Sequence, residues 1–79
     1  MDIRSFTHEL NPEQRAAFVE KSGTSTAYLS QLVGGHRKAS ANLARKMVAA
    51  SRDLFPRETS RWLTLHGIRP DIWTPDEAA

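Results

Sequence analysis

The 79 residues include no cysteine. Disulfides and thiolate metal sites are therefore excluded, and a reducing compartment is the natural setting. No apolar run approaches the roughly 18 residues that a membrane span needs, and no stretch has the layout of a signal peptide. A soluble, cytoplasmic protein that makes no use of a membrane is the expectation. Charge of one sign is not in excess either: the net charge is only +2, so bulk charge is a weak argument for a nucleic-acid partner. Repeats, low-complexity tracts and strand-like alternation are missing, which leaves an all-α fold. Catalytic patterns are missing too. Ser22, Ser25 and Ser30 have no His and acid at a telling spacing, and no Gly-rich phosphate loop occurs. His8, His36 and His66 are not spaced as metal ligands. Neither catalysis nor a metal or cofactor is expected.

A chain of this length makes one domain, predicted over residues 1–73, with a flexible tail at 74–79. Such a domain buries only about 60% of its unfolded surface, so a partner subunit would help it. Asp2 can cap a first helix that places Ile3, Phe6 and Leu10 on one face. Asn11, Pro12 and Gln14 form a second start: cap, first-turn proline and a side chain that reaches back to the cap amide. The second helix is predicted over 12–22, burying Ala16, Val19 and Phe18. Gly23 ends it with a positive φ, and Ser25 caps a third helix from Thr26 to about Gly34. Gly35 is the left-handed stop. Ser40 caps a fourth helix, with Leu43, Ala44, Met47, Val48 and Ala50 inward and Arg45, Lys46 and Arg52 outward, broken at Phe55-Pro56. A fifth helix is predicted from about Arg57 to His66 and stopped by Gly67. An extended tail, Ile68 to Trp73, would dock Ile72 and Trp73 on the body.

Two short helices joined at a glycine turn form the helix-turn-helix pattern, although any small helical protein contains pairs joined at Gly. The outward face of the third helix separates the two. A solvated face usually carries Glu and Lys, whereas this one carries Ala27, Ser30 and Gln31, preceded by Ser25 and Thr26. Short uncharged side chains let a helix enter the major groove and reach base edges. Gln31 is the best candidate for a two-bond contact to adenine, and Ala27 for a thymine methyl. The alternative for Gln31 is an idle exposed amide. Tyr28 lies on the flank, as core edge or as phosphate contact. His36, Arg37 and Lys38 directly follow the third helix, which favours phosphate contacts over a merely solvated loop. Trp62 and Trp73 lie beyond the first four helices, as core or as a dimer contact.

The stretch from Arg15 to Lys38 resembles the Cro/CI class of phage repressors. Counted from Arg15, Val19 stands at the small buried position of the first helix, Gly23 at the turn, and Leu29 and Leu32 at the buried positions of the second. The loop G-G-H-R-K-A-S is similar to the one leaving the recognition helix in that class. The ending R-P-D-I-W, Arg69 to Trp73, is similar to that of small YdaS-type, Cro-like prophage regulators and antitoxin-type repressors. The resemblance covers roughly residues 10–50 and the tail motif separately. Arg15 stands where Gln is common and Val19 where Ala is usual, and 53–67 is longer than in short members. The resemblance implies a five-helix lambda-repressor-like domain in a bacterial or phage-infected cell. It also implies a homodimer on a two-fold DNA operator, and it places Arg15 at a position that meets a phosphate. Together these lead to a sequence-specific DNA-binding repressor. The rival is an antitoxin-like interaction module that neutralises a protein partner such as a toxin, with the helix pair only a scaffold. A nonspecific DNA-coating protein is a third reading, and the modest charge argues against it.

Overall fold

The computed structural model describes residues 1–74, and the predicted frayed tail, Thr74 apart, lies outside them. Five helices occur: α1 (Ile3–Glu9), α2 (Pro12–Ser22), α3 (Thr26–Val33), α4 (Ala41–Leu54) and a one-turn α5 (Leu65–Ile68). A 3-10 turn covers Thr59–Arg61. No strand is found among the described residues, so the fold is all-α.

Four helices start where their local chemistry places them. Asp2, Asn11, Ser25 and Ser40 each accept a backbone N–H three residues on, satisfying a donor that helical bonding leaves orphaned. At α2 the cap is reciprocal: Asn11 Oδ1 accepts the Gln14 N–H at 2.8 Å and Gln14 Oε1 accepts the Asn11 N–H at 3.0 Å. Gly23 ends α2 at φ 73°. Its N–H bonds Glu20 O and the Thr24 N–H bonds Val19 O, a Schellman closure. Gly35 repeats the device after α3 at φ 79°, with the His36 N–H on Gln31 O.

The core forms around three phenylalanines. Phe6 of α1 lies 4.9 Å, centroid to centroid, from Phe18 of α2 and 6.1 Å from Phe55 just past α4. The second contact is edge-on, which the ring quadrupoles favour. Leu10, Leu29, Leu32, Ala39, Ala44, Met47, Ala50 and Leu63 complete the buried apolar set, and α2 against α4 is the most extensive helix pair. Within α2 the buried side chains are Phe18 and Ser22, with Val19 half-buried. Ala16, predicted to be buried, is exposed. It lies about 200° around the helix from Phe18, so the two cannot share a face.

The C-terminal third departs from the predicted path. Residues 57–66 do not form one helix, and Gly67 lies inside α5 rather than ending a helix. Long-range partners claim the backbone here. The Leu63 N–H donates to buried Ser51 Oγ at 3.0 Å, and the Thr64 N–H to Met1 O at 3.3 Å. Trp62 Nε1 donates to Phe55 O at 2.7 Å. Thr64 then caps α5 through the Gly67 N–H. A Cβ on Gly67 would stand 2.3 Å from Met1 O, so only glycine lets the two segments meet. The tail also differs. It is a turn in which the Ile72 and Trp73 N–H groups both bond Arg69 O, and Ile72 stays 45% exposed rather than docked.

Two stability predictions follow from these features. Nothing lies within 4 Å of a Cβ on Gly23, so a substitution there meets backbone strain alone. Gly23→Val should cost more than about 1 kcal/mol in denaturant unfolding, and native stability in that variant would show the turn to be unstrained. Ser51→Ala strands the buried Leu63 N–H and should cost about 1–3 kcal/mol. An unchanged denaturation midpoint would show that this bond does not hold the 62–64 segment.

Candidate nucleic-acid interface

Helix α3 has two unlike faces. Leu29 and Leu32 are buried, and Tyr28 and Val33 pack half-buried against the core. Ser25, Thr26, Ala27, Ser30 and Gln31 are all exposed, and none carries a charge. The side chains of Thr26, Ser30 and Gln31 make no hydrogen bond to the described residues. Their donors and acceptors are therefore open to an external partner. Ser25 differs. Its Oγ accepts the Tyr28 N–H at 3.1 Å, so it serves first as a helix cap and keeps its proton and one lone pair for another partner.

Cations surround this uncharged face. Arg15, exposed on α2, reaches back to Thr7 O with Nη2 at 3.5 Å, a long contact that leaves its other donors available. It shares with Ser30 a cleft of about 260 Å³ whose walls include His8, Leu29 and Val33. The fold thus brings a predicted phosphate ligand and a predicted base-reading residue together from different helices. On the other side, the N–H groups of His36 and Arg37 both bond Gln31 O, at 2.9 and 3.4 Å. This starts the basic loop tightly against the end of α3. The Arg37 guanidinium lies 5.9 Å from the Tyr28 ring centroid, within cation–π range. Tyr28 thus joins the core with its body and the basic loop with its face. The His36 ring folds back toward Gly34, where an added Cβ would lie 3.1 Å from its Cδ2. Lys38 has a partner already: its Nζ is 3.5 Å from Asp71 Oδ2.

Sequence reasoning passed over Arg4. Its Nη2 donates to Val33 O at 3.3 Å, which places a cation at the C-terminal end of α3, where the helix dipole favours it. Arg4 and His8, four residues apart on α1, were the available signal.

The two tryptophans sit along one outward line of α4. Arg52 stacks 4.9 Å from the Trp62 ring centroid and Arg45 5.7 Å from that of Trp73. The two arginines are one heptad apart, hence on one face. Trp62, read from the sequence as core or as a dimer contact, lies against the core, half-buried, with its indole N–H bonded to Phe55 O.

Among the described residues no group of three His, Cys, Asp or Glu side chains gathers as a metal site. No helix among them is long and apolar enough to cross a membrane. Compared with known proteins, the chain matches no family model, no curated protein and no solved structure.

If Arg37 neutralises one DNA phosphate, Arg37→Ala should flatten the slope of log K against log salt by roughly 0.9. Affinity should fall alike on all sequences. An unchanged slope in a salt titration would mean that Arg37 only stacks on Tyr28.

Proposed function

We propose that this chain is a sequence-specific DNA-binding protein of the helix-turn-helix kind, with α3 as its reading helix. One observation carries the reading: the exposed face of α3 is uncharged, rich in hydrogen-bonding groups without a partner among the described residues, and bordered on both sides by cations. A merely solvated helix face usually carries Glu and Lys, whereas this one carries Thr26, Ser30 and Gln31, the short uncharged groups that major-groove entry and base-edge bonding call for. Gln31, Ser30 and Ala27 contact bases, with Ser25 and Thr26 at the entering end. Arg15, Tyr28, His36, Arg37 and Lys38 are assigned to the flanking phosphates, which set register without reading sequence.

The resemblance to Cro-like and antitoxin-type repressors adds a biological role: occupation of an operator that overlaps a promoter, as a homodimer. The line of Trp62, Arg52, Arg45 and Trp73 along α4 is the candidate subunit contact. In such a dimer the two α3 helices would stand about 34 Å apart, one turn of DNA.

Gln31→Ala should weaken binding to the selected site by about 1–3 kcal/mol and leave thermal stability nearly unchanged, since the side chain is exposed and makes no hydrogen bond to the described residues. Sites would first be selected from random duplexes, and affinities then measured by mobility shift with excess competitor DNA. Equal losses on selected and random DNA would exclude Gln31 as a base reader. A wild-type protein that enriches no sequence would overturn the function itself.

A further inference from the structure

The R-P-D-I-W ending lies far in sequence from the basic loop, yet the fold brings it onto that loop. Arg69, with its side chain only 18% exposed, is the anchor. Its Nη1 donates to Ala39 O at 2.6 Å, where the loop enters the core, because Ala39 itself is 1% exposed. Its Nε and Nη2 donate to the two oxygens of Asp71, at 2.9 and 2.8 Å. This two-bond fork fixes both the position and the plane of the carboxylate. Asp71 Oδ2 is then also 3.5 Å from Lys38 Nζ. The chain thus holds an oxyanion of its own against one cation of the loop assigned to phosphate.

We propose that Asp71 is a built-in phosphate surrogate that masks Lys38, with Arg69 as the residue that positions it. The inference rests on the DNA-binding reading of the basic loop. Lys38 and Asp71 are exposed at 70% and 45%. Such a pair is weak and salt-screened, so it competes with a phosphate without excluding one. The mask lowers the sequence-independent part of DNA affinity, the part that Lys and Arg contacts to the backbone supply. The Arg69 guanidinium holds the Asp71 carboxyl far below the usual carboxylate range. Because that pKa is depressed, the carboxylate stays charged even at a pH where an ordinary carboxyl is protonated. Competition by another anion, rather than protonation, is what opens the pair near neutral pH.

The test compares Asp71→Asn with Asp53→Asn, which makes the same charge change on an exposed α4 residue. Both are measured on random duplex DNA and on heparin-agarose, alone and combined with Lys38→Ala. Asp71→Asn should bind random DNA roughly fivefold more tightly at 0.15 M salt and steepen the salt slope by roughly 0.9, the effect of one added phosphate contact. It should also leave heparin-agarose at higher salt than Asp53→Asn does. Adding Lys38→Ala should remove both gains. A gain no larger than that of Asp53→Asn, or one that survives Lys38→Ala, overturns the mask. The heparin comparison keeps the two proposals apart. A protein that binds no DNA but shows the Lys38-dependent heparin gain loses the DNA reading and keeps the masked cation.

Discussion

The contact of Phe6 with Phe18 and Phe55 is what the rest of the structure depends on. Three rings from α1, α2 and the end of α4 meet at one point, with Phe18 wholly inaccessible to solvent. In a chain this small, about 60% of the unfolded surface is all that can be buried, so a few large side chains dominate. Fully burying each ring is worth about 1.5–3 kcal/mol by apolar area, with edge-on geometry adding a little more. The same cluster sets the orientation of α2, and α2 carries the glycine turn that sends α3 outward. The uncharged face of α3 is presented to solvent because Leu29 and Leu32 on its other side are drawn inward.

The C-terminal third completes that core. Leu63 is buried, Phe55 is one of the three rings, and Arg61 lies 3.7 Å over the Phe55 ring while pairing with Glu58. Ser51 is the joint: its hydroxyl donates to Val48 O and accepts the Leu63 N–H, so one buried polar group is satisfied on both sides. From there the chain reaches the first residue and then the basic loop through Arg69. The proposed reading helix, the proposed phosphate loop and the tail are therefore one connected unit. The tail touches the loop at Ala39 and Lys38, although 30 residues separate Arg69 from Ala39 in sequence.

Charge at the candidate interface is distributed with some economy. The proposed reading face has none, and its neighbours Arg15, Arg37, Lys38 and Arg4 supply it from three different elements. Each of these has a soft internal partner: a carbonyl for Arg15 and Arg4, a ring for Arg37, a carboxylate for Lys38. For the three arginines such contacts would hold long side chains near the proposed interface at small energetic cost and so reduce the ordering entropy of binding, whereas the Lys38 pair competes with a phosphate.

The sequence by itself determined the starts of α1 to α4 and the glycine ends of α2 and α3, because these rest on local chemistry. A cap at Asp2, Asn11, Ser25 or Ser40 bonds an amide three residues away, and the positive φ of Gly23 and Gly35 is a property of the residue. Helical periodicity likewise assigned Leu29 and Leu32 inward and Ser30 and Gln31 outward. Only the tertiary structure decided the path of 57–74. There Trp62, Leu63 and Leu65 could be read as a helix, but the amides of Leu63 and Thr64 are bonded by Ser51 and Met1, residues that no local rule connects to them. The partner of Lys38 was hidden for the same reason. A loop cation and a tail carboxylate 33 residues apart share no periodicity, and they meet only because Arg69 carries Asp71 to the end of the loop.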